Sequence, residues 1–287
     1  MRNPKILARI FLAAILMLAV AACALPRPLP SHPLRVYVLD GGTIEVQDIS
    51  IFHPGTGKGE RKTLADTCYL VVHPKGTLLW DTGLPDELAA TPEGKKYMEV
   101  FIMRVKKTLA SQLKEIGCPP ESIKYLALSH MHGDHVGNAG LFTLATLLIK
   151  EDEYDAAFGP EPDKYGFDPA SYAALHSSRV IKKLNGDYDV FGDGTVVIKS
   201  MPGHTIGHQA LFLKLHKTGN VLISGDLVHF TSNWTNRAVP SFNYDKEQSL
   251  ATMREADKFL KENNAVLWIQ HDLEQNAQIH HAPAYYE

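Results

Sequence analysis

Cysteine is scarce in this sequence, which has only three cysteines in 287 residues, at positions 23, 68 and 118. Neither Cys68 nor Cys118 has the close spacing to histidine or to another cysteine that a zinc finger requires, so a zinc finger is excluded. Cys68 and Cys118 could form a disulfide in an exported protein. Their positions in the chain do not decide between a disulfide and two buried free thiols.

A strong charge of either sign is also absent. The formal net charge is −3, and no basic run interrupts the body of the chain, so the sequence gives no reason to expect nucleic acid as a partner. Hydrophobic residues make up 45% and charged residues 21%, which is ordinary for a folded domain. We find no internal repeat and no long low-complexity run. The pattern does not decide between a monomer and a homodimer.

The N-terminus is predicted to be a lipoprotein signal peptide covering residues 1–22. Three basic side chains lie at its start: Arg2, Lys5 and Arg9. An apolar stretch from Ile10 to Ala22 follows, as in exported proteins. The small residues Val20-Ala21-Ala22 before Cys23 resemble a lipobox, at which a peptidase cuts and the cysteine is lipidated. An uncleaved membrane anchor is the alternative, because the apolar span is nearly long enough to cross a bilayer.

Residues 23–33 are predicted to be a tether, because four prolines keep this segment extended: Pro26, Pro28, Pro30 and Pro33. Together, Cys23 and the tether predict a protein that is exported and lipid-anchored to the cell envelope, on the periplasmic or outer-membrane side. Residues 34–287 are then a single catalytic domain.

The domain shows the pattern of an α/β fold. Alternating or buried apolar runs predict strands, and Lys106–Ile116 and Gln248–Lys261 have helical periodicity. The predicted strands are 35–40, 43–48, 67–72, 77–80, 123–128, 196–201, 209–215, 221–224 and 265–269. Residues 154–183 mix aromatic residues with proline and glycine and are predicted to cap a pocket.

The strongest chemical signal is Ser129-His130-Met131-His132-Gly133-Asp134-His135, directly after a predicted strand. A tight loop with a glycine can turn alternate side chains toward two different centres. Imidazole nitrogen and carboxylate oxygen are both zinc ligands. His204, Asp226 and His271 also follow short apolar strands, so a rigid sheet would hold all these ligands at one edge.

This motif resembles the H-x-H-x-D-H motif of the metallo-β-lactamase superfamily. Four other segments resemble that family in the same order along the chain: Asp81-Thr82-Gly83, Pro202–His208, Ser224-Gly225-Asp226 and Ile269–Asp272. The resemblance implies an αββα sandwich in which two mixed β-sheets are flanked by helices.

The resemblance also implies a role for each residue. Two zinc ions, or other divalent metals in their place, would be bound. The first would be held by His130, His132 and His204. The second would be held by Asp134, His135 and His271. Asp226 would bridge the two metals. Asp81 and His208 would orient imidazoles, and for His208 the alternative is an ordinary surface histidine.

Within the superfamily, the sequence resembles the N-acyl-homoserine lactonases, which act in quorum quenching. Asp226 stands where the best-known class B β-lactamases carry a cysteine ligand. The chain ends sixteen residues after His271 with no lysine or arginine between, unlike glyoxalase II-like enzymes. Three segments look like lactonase sequence: Lys58–Arg61, Leu79–Pro85 and Ala238–Asp245. The implied reaction is attack of a metal-activated water on a small-molecule lactone, with Asp134 carrying a proton to the leaving oxygen.

His229 is a departure from that family, in which a tyrosine three residues after the bridging aspartate contacts the lactone carbonyl. We expect His229 to donate a similar hydrogen bond. An acyl chain would need an apolar groove, for which the candidates are Phe230, Trp234, Phe242, Tyr165 and Phe167. Each of these could instead be ordinary core. Alternative functions are hydrolysis of another lactone, carboxylic ester, thioester or phosphodiester, and a non-catalytic zinc-binding lipoprotein.

Overall fold

The computed structural model describes residues 34–287. The predicted signal peptide and the whole predicted tether, including Cys23, lie outside the described residues. None of the helices in the described part of the chain is long and apolar enough to cross a membrane.

Eight strands form the first sheet, in the spatial order β4-β5-β1-β2-β3-β6-β7-β8. Strands β3, β6, β7 and β8 are parallel to one another, whereas the other neighbours pair antiparallel. Their bounds are β1 Arg35–Val46, β2 Lys62–His73, β3 Gly76–Trp80, β4 Lys95–Tyr97, β5 Phe101–Arg104, β6 Tyr125–Ala127, β7 Thr146–Lys150 and β8 Val180–Leu184.

Five strands form the second sheet, in the order β13-β12-β11-β10-β9. Only β12 and β13 pair parallel. These strands are β9 Tyr188–Asp189, β10 Val196–Ser200, β11 Gln209–Leu215, β12 Gly219–Ile223 and β13 Ala265–Trp268. The helices are α1 Leu109–Glu115, α2 Gly133–Val136, α3 Glu151–Ala157, α4 Pro169–Tyr172, α5 Thr231–Asn236, α6 Lys246–Glu262 and α7 Leu273–Asn276.

The two sheets pack face to face because alternate residues of each strand point to opposite faces. Val71, Leu78 and Trp80 of the first sheet share a buried cluster with Leu211 and Ile223 of the second. The residues between them in sequence face the opposite way. There they pack against α1 and α3 on the first sheet and against α6 on the second. The predicted αββα sandwich with two mixed sheets is therefore confirmed.

One continuous strand, β1, replaces the two strands predicted for residues 35–40 and 43–48. The two glycines between them do not turn the chain, and its register with β2 shifts between Asp40 and Gly42 as in a β-bulge. A Cβ on Gly41 would lie 3.0 Å from Cys68 Sγ and from Gly83 Cα. Gly41 therefore allows this strand and the Asp81-Thr82-Gly83 segment to approach closely.

Other predicted elements are found with shifted ends, and several short strands were missed. The predicted cap at residues 154–183 contains the end of α3, all of α4 and most of the edge strand β8. Of the two remaining cysteines, Cys68 is buried, and both are free thiols.

Candidate metal centre

The predicted ligands meet at one edge of the sandwich. His130 follows β6 of the first sheet, and three ligands follow strands of the second sheet: His204 after β10, Asp226 after β12 and His271 after β13. Strands β10, β12 and β13 run in the same direction, so their carboxyl ends lie at the same edge. The sheets thus hold ligands that are far apart in sequence.

Three imidazoles form the first group, to which Asp226 also belongs. His130 Nε2 lies 2.9 Å and His204 Nε2 3.1 Å from His132 Nδ1. Around a tetrahedral zinc with bonds of about 2.0–2.1 Å, neighbouring donor atoms lie about 3.3 Å apart. The donor atoms of the first group are therefore spaced as a tetrahedral metal ion requires.

Asp134, His135 and His271 form the second group. The Nε2 atoms of His135 and His271 are 3.2 Å apart. Asp134 Oδ2 lies 3.8 Å from His271 Nε2 and 3.9 Å from His135 Nε2. Asp134 is also the more open member, since its side chain is 21% exposed whereas the two imidazoles are buried.

Asp226 divides its carboxylate between the two groups. Its Oδ2 lies 3.2 Å from His204 Nε2, and its Oδ1 lies 3.1 Å from His271 Nε2 and 3.2 Å from His135 Nε2. Oδ1 is buried and has no hydrogen-bond partner of acceptable geometry among residues 34–287. A buried oxygen without a partner is costly unless a cation completes it. The carboxylate of Asp226 therefore faces both ligand groups, one with each oxygen.

In four of the histidines, Nδ1 makes a hydrogen-bonding contact to a group outside the two ligand groups. Nδ1 of His130 contacts Ser129 Oγ at 3.0 Å, and Nδ1 of His204 contacts Asn243 Oδ1 at 3.0 Å. Nδ1 of His271 contacts the carbonyl of Ala65 at 2.7 Å, and Nδ1 of His135 contacts Asp81 at 2.9 Å. With Nδ1 as donor, each Nε2 is left free to bind a metal.

Asp81 lies where the resemblance predicts and orients His135. Its Oδ1 also accepts the backbone N–H of Ser129 at 2.6 Å, and its Oδ2 accepts the amide of Gln270 at 2.7 Å. Asp81 has a φ of 58°, which is unusual for a residue other than glycine. This backbone conformation is stabilised by the hydrogen bonds that surround its side chain.

His208 is buried but makes no hydrogen bond to an imidazole in the described structure, which corrects its expected role. Its Nδ1 contacts the carbonyl of Met201 at 2.8 Å, and its Nε2 accepts the backbone N–H of Asp226 at 2.8 Å. His208 therefore fixes the backbone of the bridging aspartate instead of a ring, and it is not a surface histidine.

His229 is directed at the carboxylate of Asp226. Its Nε2 lies 3.0 Å from Asp226 Oδ2, and its side chain is 2% exposed. Its Nδ1 has no hydrogen-bond partner in the part of the chain that the structure describes. The sequence led us to expect a hydrogen bond to a substrate carbonyl. The geometry gives His229 a different partner, the carboxylate of Asp226 three residues earlier in the chain.

The electrostatics differ between the two groups. Burial lowers the pKa of His130 and of His204 well below the usual value, although Asp226 acts in the opposite direction. Burial also acts to lower the pKa of His271, but the charge of Asp226 outweighs it and raises this pKa to about 9. The pKa of His135 is raised well above its usual value for the same reason. The imidazoles of the first group therefore favour the neutral form at pH 7, whereas those of His135 and His271 favour the protonated form.

Two aromatic walls flank the ligands. Phe242 is 43% exposed, and its ring lies 6.0 Å from those of His229 and His204 and 5.1 Å from that of Phe52. Phe230 packs behind Phe52 at 5.6 Å and is buried. These three residues form the first aromatic wall.

The second aromatic wall lies beside His132. Phe167 is buried with its ring 5.9 Å from that of His132. Tyr165 stacks on Phe167 at 6.2 Å and on Tyr244 at 5.8 Å. Trp234, the remaining candidate, instead packs against the cluster under α6, with the Arg237 guanidinium 4.2 Å from its ring centre. Trp234 is therefore a partly buried side chain that packs at the edge of this core cluster.

Sequence reasoning missed several residues around the site. Phe52 and Tyr244 complete the aromatic walls, and Ser129, Asn243 and the Ala65 carbonyl contact ligand rings. Asn243 and Tyr244 lie in a segment that resembles lactonase sequence, which was a usable signal. Phe52 and the Ala65 carbonyl carry no motif, because only the folded chain brings them to the site.

This fold and these two ligand groups define a metal-binding α/β sandwich of the hydrolase type. The sequence model of the metallo-β-lactamase superfamily matches residues 62–271. The chain belongs to the metallo-β-lactamase superfamily, as its motifs predict.

Its relatives include named lactonases. The chain is 29% identical over 265 residues to the N-acyl homoserine lactonase AttM of Azorhizobium caulinodans, covering 88% of this chain and 99% of the relative. It is 28% identical over 257 residues to the N-acyl homoserine lactonase AiiA of Bacillus thuringiensis subsp. kurstaki, with 88% and 98% coverage. The predicted similarity to lactonases is confirmed.

A solved structure is similar along nearly its whole length. It is an N-acyl homoserine lactone hydrolase with the product N-hexanoyl-L-homoserine bound at its catalytic metal centre. The TM-score is 0.76 at 26% identity, and the match covers 88% of this chain and 98% of the other.

Proposed function

We propose that this chain is an N-acyl-homoserine lactonase that opens the lactone ring at a centre of two zinc ions. The observation that carries the proposal is the carboxylate of Asp226, whose two oxygens face two separate ligand groups. The matches to the lactonase relatives cover nearly the whole length of those proteins, which supports this substrate class. Quorum quenching would be the biological outcome.

The donor set supports zinc, because the two groups together contain five imidazoles and two carboxylates, which are common zinc ligands. Of the two carboxylates, Asp226 is buried and Asp134 is partly open to solvent. In this proposal His130, His132 and His204 hold one ion. Asp134, His135 and His271 hold the other, and Asp226 bridges. Bound metal ions supply a water of lowered pKa and polarise a carbonyl oxygen.

Asp134 is the residue of the chain best placed to move a proton. It is partly open to solvent, whereas Asp226 and the histidines of its own group are buried. In our proposal it accepts a proton from the attacking water and delivers it to the ring oxygen as the ester bond breaks. The product is an N-acyl-homoserine with a free carboxylate and a free hydroxyl.

The acyl chain would lie between the two aromatic walls. Phe242 offers a half-exposed ring on one side, and Tyr244 offers one, 46% exposed, on the other. Apolar groups of this kind stabilise a bound alkyl chain by about 25 cal/mol per Å² of apolar surface removed from water. The walls therefore favour substrates with an acyl tail over a bare lactone.

A substrate panel tests the proposal. The purified full chain is expected to open N-hexanoyl and N-decanoyl homoserine lactones, releasing one proton per turnover, which a pH-stat measures. A thioester, a carboxylic ester and a phosphodiester serve as comparison substrates. Faster turnover of any of these than of both lactones would contradict the proposed substrate class.

We further propose that the protein is a lipoprotein anchored through Cys23, which rests on Val20-Ala21-Ala22 before that cysteine. Metabolic labelling with a fatty-acid analogue is expected to mark the parent and not Cys23→Ser. Undiminished label on the variant would contradict lipidation at this residue.

A further inference from the structure

Glu153 is a fully buried carboxyl that the chemistry described above does not use. It lies in the first turn of α3 and has a relative exposure of 0%. Its neighbours Glu151 and Asp152 on the same turn are exposed. Acidic residues are common at helix N-termini, where they are usually solvated. Glu153 is instead turned inward, so its position needs another explanation.

Three hydrogen bonds account for both oxygens of Glu153. Oε1 accepts the backbone N–H of Met131 at 2.9 Å. Oε2 accepts the hydroxyl of Thr205 at 2.8 Å and the backbone N–H of Gly207 at 2.8 Å. Burial raises the pKa of Glu153 to about 7 although these hydrogen bonds act to lower it. The three donors offset part of the cost of burying this group.

The donors belong to two different ligand loops. Met131 stands between His130 and His132, and Thr205 directly follows His204. These are the three imidazoles of the first group. The loops follow strands of different sheets, β6 and β10, so the strand pairing within one sheet does not fix their separation. Glu153 is a direct side-chain link between the two loops.

The start of α3 packs closely against Gly207, in the loop that contains His204. A Cβ on Gly207 would lie 2.6 Å from both the Cβ and the backbone nitrogen of Glu153. The absence of a side chain at Gly207 therefore permits the close approach that brings Glu153 within reach of all three donors.

We propose that Glu153 is a positioning residue that holds the His130–His132 loop and the His204 loop at the separation the first metal ion requires. This inference rests on the proposed metal centre. It does not require that the substrate is a lactone. Groups that orient metal ligands typically affect metal affinity by about 10–100-fold.

The test compares Glu153→Gln with Glu151→Gln in the purified full chain loaded with Zn²⁺. The amide keeps the size of the side chain but has a single oxygen, so the N–H of Met131 or of Gly207 loses its acceptor. We expect one metal equivalent to pass to a chromogenic chelator about 10–100 times faster in Glu153→Gln than in the parent. The second equivalent is expected at the parent rate, and Glu151→Gln should match the parent for both.

A second pair of variants covers the case in which Glu153→Gln does not fold. Thr205→Val removes the hydroxyl donor at nearly constant volume, and Thr205→Ser keeps it. We expect faster release of one equivalent from Thr205→Val and the parent rate from Thr205→Ser. The thermal midpoint of the metal-free protein is measured alongside, because a purely structural role would lower that midpoint without changing metal release.

Parent rates of metal release in both Glu153→Gln and Thr205→Val would overturn the inference, as would a lowered midpoint with unchanged release. Turnover is recorded separately. If the parent binds two metal ions but opens no lactone, the proposed function fails while the role of Glu153 is still decided by metal release.

Discussion

His229 Nε2 lies 3.0 Å from Oδ2 of Asp226, the carboxylate that faces both ligand groups. Because a donor here fixes the bridging oxygen, we expect His229→Ala to lower turnover and to weaken metal binding by about tenfold. His229→Tyr carries a hydroxyl that can donate to the same oxygen and should retain much of the activity. The measurements are steady-state turnover and metal content after dialysis.

The alternatives for His229 give different results. Complete loss of one metal equivalent in His229→Ala would make it a ligand. If His229→Ala keeps the turnover and the metal content of the parent, the contact with Asp226 contributes neither to catalysis nor to metal binding. If His229→Tyr lowers turnover as much as His229→Ala, a ring nitrogen is required at this position.

The two ligand groups should differ in proton release when the metal-free protein binds metal. His271 has a pKa raised to about 9, whereas the pKa values of His130 and His204 are lowered well below the usual value. A metal must displace a proton that a ligand holds. As pH falls below about 9, the second group should lose affinity, by about tenfold per pH unit for each proton displaced. The first group should change little between pH 7 and 9.

Calorimetric titration in two buffers of different ionisation enthalpy measures this difference. At pH 7, binding of a metal equivalent by the second group should release protons from the protein, whereas binding by the first group should release few. Equal release by both equivalents would contradict the charge distribution around Asp226.

Phe242 should determine how strongly the acyl chain contributes to catalysis. Its ring is 43% exposed and forms the open part of the first aromatic wall. Phe242→Ala should lower kcat/KM for an N-decanoyl lactone by about fivefold to tenfold, through lost apolar contact. The effect on a short acyl chain should be smaller. Tyr285, 41% exposed and packed on Tyr37, offers a matched control in Tyr285→Ala. Equal losses of kcat/KM for lactones with long and short acyl chains would show that the acyl chain does not bind against Phe242.

The ligand loops could be predicted from sequence because each is a short segment directly after an apolar strand. His130 to His135 share one short segment, and their residue types alone indicate a metal site. The strand order within each sheet was not needed to find them. The same local reasoning predicted α6, whose first residue follows Asp245, with that side chain accepting the N–H of Gln248 at 2.9 Å.

Contacts between distant segments could not be predicted in this way. Phe52 reaches the site from the loop after β1, and Glu153 from a helix whose charged first turn indicates a solvated surface. The sequence predicts that a strand ends at Gly41 and Gly42. In the folded protein these glycines instead continue β1, where neighbouring segments approach them closely. The sequence offered Trp234 as a pocket residue, whereas in the folded protein it packs against the cluster under α6. Each error arose where tertiary packing outweighs the local pattern.

Activity as a function of bound metal tests the central claim most directly. Metal-free full chain is titrated with Zn²⁺, and opening of N-hexanoyl homoserine lactone is measured at each step. We predict that turnover rises until about two equivalents are bound, because Asp226 is shared between two ligand groups. Full turnover at one equivalent, or no lactone opening at two, would contradict a binuclear lactonase.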